Sequence, residues 1–376
     1  MKRHLVLFLF VILGIGTSFS QENKDSSMFD SGMNQIIVPT QIITSTDGDT
    51  VGTLVNAEGQ EANIAYNNGV ALYSEGSYLE ANSEFSRSLR INPEMAQAYY
   101  GRGTCYMQQG KYDEAITDLK EYVKRKEDNN ATYLIGYCYF LSKNMDSAIE
   151  YFQNAIEQGC SNANMFYYIG VIYFNKAQYE EAEKYYTRSI EVDNKHSFSY
   201  NDRGSTYRMQ EKYDLAIADY QKAIELNSRM DIFKENLGSA YRLNKEYEKA
   251  LAAYDDAIKA KPDNYIALNN KGITLYEMKE YDQAIDVFNE CLKHNKNYAF
   301  AYNNLGLCYY RKEDYKLAIE AFTKAITLKS DYGEAYVNRG SAREMTRDLD
   351  GACSDWKTAK SMGITGLGDF ESNCGK

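Results

Sequence analysis

Proline is scarce in this chain, with 3 residues in 376, while 25 glycines, 44% hydrophobic and 25% charged residues make an ordinary globular balance. That balance excludes collagen-like, low-complexity and wholly disordered chains. Basic charge is in deficit, 42 Lys and Arg against 53 Asp and Glu for a net charge of -11. Such a surface repels phosphate backbones, so nucleic acid is excluded as a general partner. Beyond residue 15 no apolar run approaches the roughly 18 residues a membrane-spanning helix needs, so the chain is expected to carry no integral membrane segment. Histidine is limited to His4, His196 and His294, and there is no H-E-x-x-H, no G-x-S-x-G and no P-loop. No cofactor fingerprint or metal-ligand spacing is present either, and the chain reads as a non-enzyme that needs no cofactor.

What is present begins with a leader. Lys2 and Arg3 precede an apolar run from Leu5 to Ile15, and Ser18-Phe19-Ser20 offers small residues where a signal peptidase cuts. Residues 1–20 are therefore expected to be a cleaved secretory signal. No Cys follows the cut, so a lipoprotein is not expected. The destination is an exported one, a bacterial periplasm or envelope in the first instance. Residues 21–61 are polar at first and then β-like, with Ile36-Ile37-Val38 and Gln41-Ile42-Ile43-Thr44 ahead of Asp47-Gly48, a pattern with room for one β-hairpin.

From residue 62 the chain repeats. Glycines fall at 69, 103, 136, 170, 204, 238, 272, 306 and 340, giving seven intervals of 34 and one of 33. Twelve residues after each stands an alanine (Ala81 through Ala352), and four further on a large apolar residue (Phe85 through Trp356). With the glycine at position 8, each frame carries two helical periods, one over positions 4–11 and one over 17–28. Two antiparallel helices then meet at the small residues 8 and 20, with the residues at 11 and 24 filling the space beside them.

These frames resemble the tetratricopeptide repeat, most closely in Ala301-Tyr302-Asn303-Asn304-Leu305-Gly306 and in Asp314-Tyr315 through Ala318 to Phe322. The resemblance implies an all-α chain, a right-handed solenoid of nine antiparallel helix pairs over 62–95, 96–128, 129–162, 163–196, 197–230, 231–264, 265–298, 299–332 and 333–366. It also implies a groove, lined by the first helix of each pair, that binds a protein or an extended peptide segment. Residues 367–376 follow as a helix-like capping tail. The short second repeat is expected to change the curvature near Lys126 to Asn130. The carboxylate clamp of chaperone-binding members needs Lys at position 5 with Asn at 9, and Tyr66 with Val70, Asn269 with Ile273 and Asn303 with Leu307 stand there instead.

Helical geometry puts positions 2, 5, 6, 9, 12 and 13 of the first helix on the face opposite 4, 7, 8 and 11. Two zones of groove candidates follow from reading these positions along the array. Tyr66, Tyr100, Tyr133 and Tyr167 at position 5, with Tyr73, Phe140 and Phe174 at position 12, form an aromatic zone in repeats one to four. Asn236, Asn270, Asn304 and Asn338 at position 6, preceded by Asp202, form an amide ladder suited to the backbone of an extended chain. Of seven cysteines, Cys353 and Cys374 flank Gly363-Ile364 symmetrically and are the disulfide candidates, a staple for the cap. A protein-binding scaffold of the cell envelope is the leading reading. A self-assembling homo-oligomeric scaffold and a carbohydrate-facing envelope protein stay open beside it.

Overall fold

The computed structural model describes residues 57–367 and Cys374. The expected signal sequence, the expected hairpin within 21–61 and most of the tail lie outside them. Among the described residues there are eighteen helices and no strand. The chain divides into two compact units, between Thr206 and Tyr207.

The first unit holds α1 (Ala57–Ser74), α2 (Tyr78–Ile91), α3 (Ala96–Gln108), α4 (Tyr112–Arg125), α5 (Asn129–Leu141), α6 (Met145–Glu157), α7 (Ala163–Asn175), α8 (Tyr179–Val192) and most of α9 (Ser197–Met209). The second holds α10 (Tyr213–Leu226), α11 (Asp231–Leu243), α12 (Tyr247–Ala260), α13 (Tyr265–Glu277), α14 (Tyr281–His294), α15 (Ala299–Arg311), α16 (Tyr315–Leu328), α17 (Gly333–Met345) and α18 (Leu349–Ser361). Helix α1 starts five residues ahead of the 62–95 frame, in a stretch where Gln60 and Glu61 are good helix formers. In each unit the two helices of a repeat pack together, and successive first helices also touch: α1 with α3, α5 with α7, and α11, α13, α15 and α17 in turn.

The pairing rests on position 8. A Cβ built on Gly306 would lie 2.6 Å from the Phe322 ring, so the aromatic at 24 sits directly on the glycine instead of beside the contact. Ala318, at position 20, is fully buried nearby. Arg102 and Arg339 at position 7 add bidentate pairs to Asp118 and Asp355 at position 23, with N–O distances of 2.7–2.9 Å. These ion pairs cross between the two helices of a repeat and are largely shielded, so their fork geometry aligns the helix faces.

Every first helix ends on a left-handed residue at position 15. Two are glycines, Gly76 and Gly110, but Lys143, Ala177, Glu211, Lys245, Lys279, Glu313 and Arg347 take φ of 55° to 68° there. The turn closes as a Schellman motif, with the Gln178 amide donating to the Tyr173 carbonyl (2.9 Å) and Ala177 to Phe174 (2.9 Å). In the one-residue-short second repeat, the Tyr122 hydroxyl donates to Asp128 (2.9 Å), which also caps α5 by accepting from the Asn130 and Ala131 amides. At the C-terminal end Ile364 and Leu367 pack on Tyr336, Val337 and Ala359. Residues 364–367 are not helical, and Gly363 and Gly366 take positive φ.

Candidate functional site

The first-helix face does not divide into the two simple columns expected. Tyr66, Tyr100 and Tyr133 are buried, with ring centroids 5.7 Å from Phe85, 5.0 Å from Tyr122 and 6.0 Å from Phe152. Position 5 therefore faces the second helix of its own repeat and belongs to the core, a correction to the expected aromatic lining. Tyr73 is buried too, edge-on to Tyr78 at 5.2 Å. Phe140 and Phe174 keep part of their surface, Phe140 at 4.9 Å from Tyr168 and Phe174 at 5.6 Å from Tyr179. The reason is that a first helix is enclosed on more than one side. It meets its own second helix, the preceding one and the neighbouring first helices, so the buried arc is wider than one pairing predicts.

The amide column is likewise tied into the structure. Asn304 Nδ2 donates to Asn269 Oδ1 (3.0 Å) and Asn338 Nδ2 to Asn303 Oδ1 (2.9 Å), all four side chains being buried. These two rungs hold adjacent first helices together and are not offered to a ligand, a second correction. Asn236 and Asn270 remain partly exposed. Tyr167, partly exposed itself, makes the same step in the first unit, its hydroxyl donating to Asp202 Oδ2 (3.0 Å) while Asn201 Nδ2 donates to Oδ1 (2.8 Å). Burial pushes the Asp202 carboxyl up to about 7, the two donated hydrogen bonds only partly offsetting it.

All three contacts join position 5 of one repeat to position 6 of the next, a step of 35 residues. The same step joins positions 12 and 13. Arg242 Nη1 donates to Glu277 (2.6 Å), Arg311 Nε to the Tyr276 hydroxyl (3.0 Å) and Gln108 to the Tyr73 hydroxyl (3.5 Å). Taking each column singly hides these diagonals. A search for partners at 35 residues, in place of identities at 34, would have found them.

One arrangement invites a catalytic reading. Ser199 Oγ lies 2.7 Å from His196 Nδ1, and His196 Nε2 lies 3.0 Å from Asn164 Oδ1, beside a surface cavity of about 430 Å³ lined by Asn164, Asp193, His196 and Phe198. Ser199 is 0% exposed, however, and its hydroxyl also meets Ser189 Oγ at 2.7 Å. Ser189 in turn donates to the Ala163 carbonyl (2.8 Å), as Ser88 does to Ala62 (2.9 Å) at the same position 27. The serine and histidine thus join two repeats, and the hydroxyl is out of reach of a substrate. Burial keeps His196 below the usual imidazole range.

Cys353 and Cys374 are bonded to each other, their Cα atoms 5.6 Å apart. Cys105, Cys138, Cys160, Cys291 and Cys308 are buried free thiols. Burial pushes Cys105, Cys291 and Cys308 up to about 12, which leaves them inert as nucleophiles. Among the described residues no helix is long and apolar enough to cross a membrane, and no group of three or more His, Cys, Asp and Glu is placed to hold a metal ion.

Stacked helix pairs held by a small-residue contact and an aromatic lid define an α-helical repeat protein. The chain belongs to the tetratricopeptide repeat family: one sequence model of that repeat matches residues 161–229 and 263–331, and a second matches 66–130, 108–163 and 201–265. It is 32% identical over 95 residues to the tetratricopeptide repeat and J domain-containing co-chaperone DNJ1 of Cryptococcus neoformans, covering 25% of this chain and 18% of that protein. To the Hsp70-Hsp90 organizing protein 1 of Glycine max it is 25% identical over 164 residues, 40% of this chain and 28% of the relative. Each match thus spans less than a third of the curated relative. Among solved structures, the Cut9-Hcn1 hetero-tetramer of the APC/C aligns with a TM-score of 0.53 at 12% identity, covering 84% of this chain and 76% of that one, a likeness of fold.

Proposed function

We propose that this protein is a non-enzymatic scaffold of the cell envelope that holds an extended protein segment along its first-helix face. The observation that carries the reading is the 35-residue step. Within each unit it fixes successive first helices in register, and it leaves Phe140 and Phe174 partly exposed at repeating places in the first unit and Asn236 and Asn270 in the second. A row of side chains with a constant step suits a chain in extended conformation, whose own repeat is constant. Family membership supports a protein partner. Export is supported by the Lys2-Arg3 and Leu5–Ile15 leader and by the Cys353–Cys374 bridge, which suits an oxidising compartment.

The test is crosslinking capture from envelope extracts, with wild type beside a variant carrying Phe140→Ala, Phe174→Ala and Asn270→Ala. A partner captured by wild type and lost by the variant, at unchanged helical circular dichroism, is the expected result. Equal capture by both proteins would refute the face as the binding site. N-terminal sequencing of the secreted form should begin at Gln21.

A further inference from the structure

Among the buried side-chain polar atoms of the second unit that lack a hydrogen-bond partner, beside Gln210 Oε1, Asn303 Nδ2 and the Tyr332 hydroxyl, are the Nε atoms of two arginines. Arg208 and Arg242 stand at position 12 of consecutive repeats, and the Nε of each is buried with no hydrogen-bond partner. Arg242 is only 6% exposed, and its Nη1 is spent on Glu277 (2.6 Å). Arg208 is partly exposed, and its Nε has no hydrogen-bond partner among the described residues. Both guanidinium groups act electrostatically on the phenol of Tyr254, whose hydroxyl lies 3.1 Å from Ser239 Oγ. Two guanidinium groups from neighbouring repeats thus lie about the Tyr254 phenol, and Glu277 pairs with Arg242.

Enclosing a guanidinium without a counter-charge is unfavourable unless something supplies one. The surplus is local, in a chain whose net charge is -11, so it is not the spill-over of a basic surface. Guanidinium N–H edges match a planar two-oxygen acceptor better than they match water. We propose that Arg208, partly exposed, and Arg242 beside it form a carboxylate-binding site that takes an Asp or Glu side chain of the segment lying on the first-helix face. The assignment rests on the face-binding reading above and adds the chemistry of the ligand. Glu277 beyond Arg242 repels a second acid, so the recognised segment carries an acidic residue followed on that side by a neutral or basic one.

The experiment uses three fluorescein-labelled decapeptides that differ at one central residue, Glu, Gln or phosphoserine, titrated into the whole protein by fluorescence anisotropy. The proteins are wild type, Arg208→Gln, Arg208→Lys and, as a charge control, the exposed Arg229→Gln. Wild type and Arg229→Gln are expected to bind the Glu peptide at least tenfold more tightly than the Gln peptide, with affinity falling as salt rises. Arg208→Gln is expected to lose that preference and Arg208→Lys to keep only part of it. Circular dichroism of each variant checks that the fold is retained, and removal of the Arg208 charge should leave thermal stability equal or higher. Equal binding of the Glu peptide by Arg208→Gln and wild type, no Glu-over-Gln preference in wild type, or binding of the phosphoserine peptide alone would each overturn the proposal. Lost preference with partner capture intact overturns the arginine site alone. Failure of the capture experiment overturns the broader reading, whatever the peptides do.

Discussion

Replacing Asp202 by Asn should stabilise the first unit, and by an amount that grows with pH. Asp202 is 1% exposed and held by two donors, the Tyr167 hydroxyl and Asn201 Nδ2, and no cation pairs with it among the described residues. Burial raises its carboxyl from the ordinary 3.8 to about 7. A group that holds its proton more tightly when folded gives its full stability below the unfolded value and loses it as pH rises through the folded one. At about 1.4 kcal/mol for each pH unit, the wild type should lose roughly 4 kcal/mol between pH 4 and pH 8 from this residue. The amide introduced by Asp202→Asn never ionises. Its nitrogen can donate to Tyr167 while its oxygen accepts from Asn201, the pattern Asn304 and Asn338 already use. The variant should therefore match wild type near pH 4 and exceed it by up to about 4 kcal/mol at pH 8. Because repeat arrays open locally, the assay is hydrogen exchange of the α7 and α9 amides at several pH values, beside urea unfolding. A stability difference that stays flat from pH 4 to pH 8 would refute the buried-carboxylate argument.

Four further outcomes follow from the same geometry. Ala177→Gly should raise stability by up to about 1 kcal/mol in urea unfolding, since Ala177 holds φ 55° and glycine does so without a Cβ clash; no change would mean the turn carries no strain. Gly306→Ala should destabilise by about 1–3 kcal/mol, because its Cβ would press on Phe322, which is fully buried and has no room to retreat. Cys353→Ser should lower the stability of α18 by about 2–4 kcal/mol, an effect a reductant reproduces in wild type and not in the variant. His196→Gln should remove a loss of stability that wild type shows as pH falls below 6.5, because the folded chain holds this imidazole neutral and the unfolded chain does not; identical acid limbs for the two proteins would count against it.

Much of the fold is legible in the residues. The 34-residue recurrence of Gly, Ala and a large apolar residue states the helix pairing, because only a small residue at position 8 lets a ring at position 24 lie flat on the neighbouring helix. The left-handed turn at position 15 is not legible in the same way, since Lys, Ala, Glu and Arg occupy it as well as Gly. There the Schellman hydrogen bonds impose the conformation and the side chain merely tolerates it. The binding face was harder still. Tyr66, Tyr100 and Tyr133 recur like lining residues and are core, while Arg208 and Arg242, two places in a column of mixed identity, each bury an Nε without a partner.

By itself, then, the order of residues determined which segments become helices, which two helices pair and how many pairs there are, since each depends on contacts within one repeat. Tertiary structure alone decided which side chains of the first helices stay open and which amides are spent on each other. Those outcomes depend on contacts 35 residues apart, between helices whose facing arcs are set by how one repeat stacks on the next. A periodic pattern records what each repeat needs for its own pairing, and the burial added by its neighbour is written in no single repeat.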